Sequence, residues 1–230
     1  MKEVIGNSVY FGVALCLLSY IAGIWIKKKL KWAILNPLLV SIVIVIAVLL
    51  IFNIDYESFN NGGKYVSYFL TPATVCLAIP LYQQLELLNK NFKAIMAGIL
   101  AGVFTSLFTI MVISLMFKLN HEQYVTILPK SITTAIGIAV STELGGIKTI
   151  TVAAIVMTGI LGNVIGESVC RLFKITDPIA VGLSFGTSSH AIGTSRALEL
   201  GEIQGAMSSL SIAISGLLTV VLAPVFASFL

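Results

Sequence analysis

Residues 94–117 read AIMAGILAGVFTSLFTIMVISLMF, a run of 24 without one charged side chain. About 20 apolar residues carry a helix across the hydrocarbon core of a bilayer, so Ala94–Phe117 predicts a membrane-spanning helix. Val4–Ile26, Ala33–Ile54, Tyr65–Leu88, Ile150–Cys170 and Ala206–Leu230 are of comparable length and apolarity. Composition agrees: 57% of the 230 residues are hydrophobic and 10% charged, against roughly 45–50% and about 25% in a soluble domain. Mean hydropathy is +1.01. With 14 basic and 10 acidic residues, the chain cannot cover the surface of a water-soluble fold. That excludes an ordinary cytosolic enzyme, a nucleic-acid-binding domain and a disordered regulator. The net charge of +4 sits between apolar runs and gives no sign of nucleic acid. The expected class is an all-α, polytopic membrane protein forming a single integral domain over residues 1–230. Two N-terminal spans (1–64) precede a core (65–230).

Charge sets the expected orientation. The first span ends in Lys27, Lys28, Lys29 and Lys31, flanked by Trp25 and Trp32. Basic flanks stay cytoplasmic and aromatics favour the interface, so the N-terminus is expected outside. No small-residue cleavage site precedes the basic run, so the span reads as retained. Asp55–Lys64 reads as a polar outer loop and Asn89–Lys93 as a basic inner one. After Lys118 the pattern changes. Tyr124–Thr142 carries Pro129, Lys130 and several hydroxyls, and Asp177–Glu202 carries His190, Arg196 and four glycines. Each either crosses or dips in and returns. Seven or eight crossings are expected, with at least one broken or re-entrant element. Cys16, Cys76 and Cys170 lie in apolar runs without pairing spacing and read as free thiols. Gly98/Gly102, Gly162/Gly166 and Gly182/Gly186 have the small-xxx-small spacing of helix packing faces.

An internal repeat of 57 residues is suggested by Pro72/Pro129, Ala78/Ala135, Ile79/Ile136, Glu86/Glu143, Leu87/Leu144, Ala97/Ala154 and Gly102/Gly159. A further step places Gly186 under Pro129, Ser188 under Ser131 and Gly216 under Gly159. The unit would be a broken helix followed by a clean span, as in many transporters. Two crossings per unit would make the copies parallel; a re-entrant segment plus one crossing would invert them.

Ionisable groups at bilayer depth are costly and are usually paired or functional. In Leu128–Gly137 (LPKSITTAIG), Pro129 removes a backbone donor, and Lys130, Ser131, Thr133 and Thr134 offer donors to an anion. The alternative is a Lys130 that snorkels to the interface. In Phe185–Arg196 (FGTSSHAIGTSR), the polarity suits a buried or cavity-lining backbone. There Ser188 and Thr194 supply hydroxyls, His190 is suited to proton relay, and Arg196 to bidentate carboxylate binding. The alternative is a structural hairpin with Arg196 paired to Glu199 or Glu202. Thr71–Pro80, broken by Pro72 and Pro80, places Thr71 and Thr74 on a possible opposite wall. Glu167 and Arg171 have the i, i+4 spacing of an intrahelical pair. Ser188 and His190 do not make a hydrolase, because no local carboxylate is placed to orient the histidine. The two histidines have no carboxylate help for a metal site. Neither a cofactor nor enzymatic activity is expected.

Several stretches resemble the LrgB/CidB family of bacterial membrane proteins, to which the plastid glycolate/glycerate translocators are related. They are LTPATVCLAIPLY (Leu70–Tyr82), LPKSITTAI (Leu128–Ile136), STELGG (Ser141–Gly146), TVAAIVMTGILGNVIG (Thr151–Gly166) and the run Asp177–Thr219 containing HAIGTSRALE. The chain differs from the family pattern at Ala135 and Lys148, where proline is usual. The resemblance implies a multi-pass protein of the bacterial cytoplasmic membrane and two functional classes. One is transport of small monocarboxylates such as pyruvate, acetate, glycolate or glycerate. The other is a holin/antiholin-like modulation of murein hydrolase activity and lysis. It further implies a small LrgA/CidA-like membrane partner and a homo- or hetero-oligomer. A preserved set of cation, histidine and hydroxyls beside broken helices suits the carrier better, because a desolvated anion needs donors to replace water.

Overall fold

The computed structural model describes residues 8–30 and 35–230, apart from the side chain of Thr74. The expected start of the first span (Val4), Lys31, Trp32 and the start of the second span (Ala33) lie outside the described residues. Those described are helical, with no strand among them. The chain divides into two compact units, Met1–Cys76 and Leu77–Leu230. The division falls inside the proline-interrupted segment, where the helix is broken between Cys76 and Ala78.

In the first unit, α1 (Val9–Leu30), α2 (Pro37–Ile51), α3 (Tyr56–Ser67) and α4 (Leu70–Cys76) follow one another. Helix α1 ends in Lys27–Lys29, which complements the negative end of its dipole. Asn36 caps α2 by accepting from the Leu38 amide at 2.8 Å, and Pro37 fits the first helical turn. At 15 residues, α2 spans about 22 Å, less than the hydrocarbon core. The expected outer loop Asp55–Lys64 is largely helical. Its low hydropathy suggested a loop, but the segment is amphipathic. Gly62 brings α3 against α1, where an added Cβ would lie 2.7 Å from the Gly12 amide. Ser19 and Ser41 hydroxyls join α1 to α2 at 2.8 Å.

The second unit holds α5 (Ala78–Gln83), α6 (Leu85–Met116), α7 (His121–Ile127), α8 (Thr134–Glu143), α9 (Lys148–Leu172), α10 (Pro178–Leu200) and α11 (Glu202–Ala227). Helices α1, α6, α9 and α11 are each long and apolar enough to cross a membrane, as is the interrupted stretch Tyr56–Gln83. The expected inner loop Asn89–Lys93 is instead part of α6. That helix has 32 residues, about 48 Å, so its charged first turns project beyond the apolar layer.

The two polar segments both turn back on themselves. In the first, Thr126 of α7 and Ser141 of α8 meet at one point. Thr151 Oγ1 donates to the Thr126 carbonyl at 2.9 Å and lies 2.6 Å from Ser141 Oγ. A continuous helix would separate residues 126 and 141 by about 22 Å, so the chain has reversed. Its tip is 128–133, and Gly137 admits the Pro129 carbonyl, which would be 3.3 Å from an added Cβ. In the second, Phe185 packs over Gly166 while Arg196 pairs with Glu167. Positions 185 and 196 therefore share one depth. The reversal is at His190, whose φ of 42° and ψ of −141° interrupt α10. These segments return to the side they entered, and among the described residues five helices are long and apolar enough to cross, against the seven or eight crossings expected.

The hairpins enter from opposite ends. Along α6, added Cβ atoms at Gly98 and Gly102 would meet Leu183 and Thr187 of the second hairpin, while Ser106 donates to Ser131 at the first tip at 2.9 Å. Helix α11 repeats the order. Gly182 and Gly186 pack on its start at Gln204 and Ser208, Ile136 lies by Gly216, and Tyr124 donates to the Phe226 carbonyl at 3.0 Å near its end. All three predicted glycine pairs thus serve the second hairpin. Helices α6, α9 and α11 surround two hairpins set tip to tip, and α9 runs opposite to α6. A re-entrant segment plus one span per unit inverts the copies.

Candidate functional site

Each hairpin is started by a local signal. Asn120 accepts from the Gln123 amide at 2.9 Å, and Gln123 Oε1 accepts from the Asn120 amide at 3.1 Å. This capping box fixes the start of α7. Asp177 accepts from the Ala180 amide at 2.9 Å, and Pro178 occupies the first turn of α10.

Where the tips meet, a cleft of about 610 Å³ lies between α6, α9 and the second hairpin. Lys130 and Ser131 of the first tip and Thr187, Ser188 and Ser189 of the second line it. Pro129, Ser131 and Thr187 also surround one small void behind the tips, so the two breaks are in direct apposition. On α6 the lining runs from Ala101 to Thr109, and on α9 from Thr158 to Cys170, continuing to Ile175. The lining therefore extends from the first tip toward the C-terminal end of α9. Sequence reasoning did not single out Thr105, Thr109 or Thr158. They sit in clean spans, where a threonine carries no signal of its own.

Lys130 is half-buried at the first tip. Its Nζ donates to Ser131 Oγ at 3.1 Å, and no carboxylate lies within ion-pair distance of it among the described residues. Ser188 donates to the Ser184 carbonyl and lies 2.9 Å from Ser189 Oγ.

Thr133, Thr134, His190, Thr194 and Arg196 do not line the cleft. Thr133 precedes α8 without a side-chain cap bond, and Thr134 begins that helix; neither lines the cleft. His190 is buried at 3% exposure, with Nε2 3.0 Å from the Ile155 carbonyl. That carbonyl only accepts, so Nε2 carries the proton. Gly159 makes room for the ring: an added Cβ would stand 2.7 Å from His190 Cε1. Thr194 is buried, donating to the His190 carbonyl at 2.9 Å and lying 2.7 Å from Ser208 Oγ. Arg196 pairs with Glu199 on its own helix and with Glu167 on α9. Glu167 also pairs with Arg171, as the i, i+4 spacing suggested. Asn163 ties the same arm to α9 through the Ile192 carbonyl at 2.7 Å. His190, Thr194 and Arg196 thus hold the second hairpin in place. Thr71 is exposed on α4 in the first unit, and the Thr74 side chain lies outside the described ones. Among the described residues no group of histidine, cysteine or carboxylate side chains is placed to hold a metal ion.

The cleft lining carries the 57-residue offset. Ala101/Thr158, Thr105/Gly162, Thr109/Gly166, Lys130/Thr187 and Ser131/Ser188 are all lining pairs at that spacing. Equivalent positions of two inverted copies therefore face one cleft.

No solved structure matches this chain. The sequence pattern of the LrgB-like family matches residues 16–229, which takes in both hairpins, the three spans around them and every lining residue of the cleft. The chain belongs to the LrgB-like family.

Proposed function

We propose that this protein is a carrier of small monocarboxylates, of the pyruvate, acetate, glycolate or glycerate class, in the bacterial cytoplasmic membrane. The observation that carries this reading is Lys130: an ammonium lining a cleft at the first tip, bonded to a serine and lacking a carboxylate partner among the described residues. Removing an ammonium from water is unfavourable unless an anion completes it. A substrate carboxylate is such an anion, and Ser131 and Ser188 lie beside it. Arg196 already has two carboxylates and is assigned to holding the hairpin. Lys90 and Lys93 near the start of α6, with Arg171 and Lys174 at the end of α9, outnumber Lys118 and Lys148 at the other end. Basic residues favour the cytoplasm, so the cleft extends toward the inner face. Movement of the hairpins against the spans then exposes the site to the other side. A small LrgA/CidA-like membrane protein is the proposed partner.

The test is reconstitution into proteoliposomes, with and without such a partner, measuring uptake of labelled pyruvate together with leakage of a larger trapped dye. Saturable uptake without dye leakage, reduced about tenfold or more by Lys130→Ala, is the expected result. Dye leakage without saturation would replace the carrier by a holin-like lesion.

A further inference from the structure

We infer that Thr187 sets the charge class of the substrate: it occupies, in the second hairpin, the position that Lys130 occupies in the first, and its neutrality limits the cleft to one carboxylate. The inference deepens the carrier reading and rests on it.

The 57-residue offset that pairs α6 with α9 across the cleft also pairs Lys130 with Thr187 and Ser131 with Ser188. Both members of each pair line the cleft. The serines match; the residues before them do not. Lys130 brings a positive charge. Thr187 brings a hydroxyl already committed to its own helix, donating to the Leu183 carbonyl at 2.8 Å. Its side chain is set toward α6, where an added Cβ at Gly102 would lie 2.8 Å from Thr187 Oγ1. Of the other cations near the second hairpin, Arg171 and Arg196 are engaged by Glu167 and Glu199, and Lys174 is exposed beyond the end of α9 and does not line the cleft. A second carboxylate on a substrate would leave water and find only hydroxyls, and a buried charge without a counter-charge is strongly disfavoured. Two tips with one cation between them therefore select a monoanion. A cation at both would hold a dicarboxylate end to end.

The test uses the full chain in proteoliposomes with labelled pyruvate and labelled succinate at pH 7.5. Wild type is expected to take up pyruvate and not succinate. Absence of pyruvate uptake in wild type would overturn the carrier reading itself. With wild type active, Lys130→Thr is expected to lose about tenfold or more of pyruvate uptake, and Lys130→Thr combined with Thr187→Lys to regain most of it. Thr187→Lys alone is expected to raise succinate uptake about tenfold over wild type.

A lysine introduced during synthesis can perturb folding, so the charge is also added afterwards. The reference protein has Cys16, Cys76 and Cys170 replaced by alanine. In that background Lys130→Thr/Thr187→Cys is treated with aminoethyl methanethiosulfonate, and attachment is verified by intact mass. Restored pyruvate uptake that is reversed by dithiothreitol, and not produced by the neutral methyl reagent, supports the inference. Complete attachment without recovery overturns it, and so does failure of the thiol to react, since Thr187 would then not face the cleft.

Discussion

Lys130 and Arg196 carry the same charge and differ in what surrounds them. Lys130 stands beside Ser131 with no carboxylate within reach among the described residues, whereas Arg196 bridges α10 and α9 through Glu199 and Glu167. An arginine fork suits paired carboxylates, so its task is met inside the protein. Replacing Arg196 by alanine leaves Glu167 with Arg171 and strips Glu199, which is exposed, of its partner, so no buried charge is orphaned, and the partly exposed pairs are worth about 1 kcal/mol. Arg196→Ala is therefore expected to lower the melting temperature of the solubilised protein by a few degrees while changing the KM for pyruvate less than about threefold. A KM raised tenfold or more at unchanged melting temperature would return Arg196 to the substrate. The opposite split is expected for Lys130→Ala: lost uptake with an unchanged melting temperature, because the only partner of its side chain among the described residues is the neighbouring serine.

The second hairpin turns on one residue. His190 takes φ 42° and ψ −141°, a conformation that glycine adopts without cost and other residues adopt under strain of about 1–3 kcal/mol. The Nε2 bond to the Ile155 carbonyl offsets part of that strain. His190→Ala keeps the strain and loses the bond. His190→Gly loses the bond and the strain together. Thermal unfolding is expected to show His190→Gly more stable than His190→Ala by about 1 kcal/mol; the reverse order would mean that the φ is unstrained in the folded protein. A hairpin in this segment was legible as one of two readings from its polarity and glycines, but the place of the reversal was not. SSHAIGTS has no turn signature at His190, and the fold there depends on Gly159 and Gly162, more than 25 residues earlier, admitting His190 and Ser189. By contrast, Asp177–Pro178 announced the start of α10, and Pro129 marked the first break at the right place. The helix α3 was hidden by polarity: YESFNNGGKYVS resembles a loop until its faces are separated by their packing on α1. Of the site, Lys130, Ser131 and Ser188 were legible as polar groups at membrane depth. Thr105, Thr109 and Thr158 were not, because only the tertiary arrangement turns them toward the same space.

On the scale of the whole second unit, two inverted copies meet in one cleft, yet the cleft is not symmetric. It continues past Val169 and Cys170 on α9 to Ile175, while the equivalent stretch, residues 112–118 at the end of α6, does not line it. Inverted copies related by a pseudo-two-fold axis can exchange conformations, and the exchange turns a site open to one face into a site open to the other. Positions that line the cleft now in the second copy then predict which positions of the first copy become accessible. Phe185 and Ser189 line it; their equivalents 57 residues earlier are Leu128 and Ile132, both buried in the present state. In a chain whose native cysteines are replaced by alanine, Leu128→Cys and Ile132→Cys are expected to react with a membrane-impermeant thiol reagent only from the face that bears Lys118 and Lys148. Ile175→Cys is expected to react only from the face that bears Arg171 and Lys174. Saturating pyruvate should change both rates, since substrate shifts the populations of the two states unless it binds them equally. Reaction at position 175 without any reaction at 128 or 132, with or without pyruvate, would mean that the protein keeps one opening, and that the repeat shapes its site without driving an exchange of access.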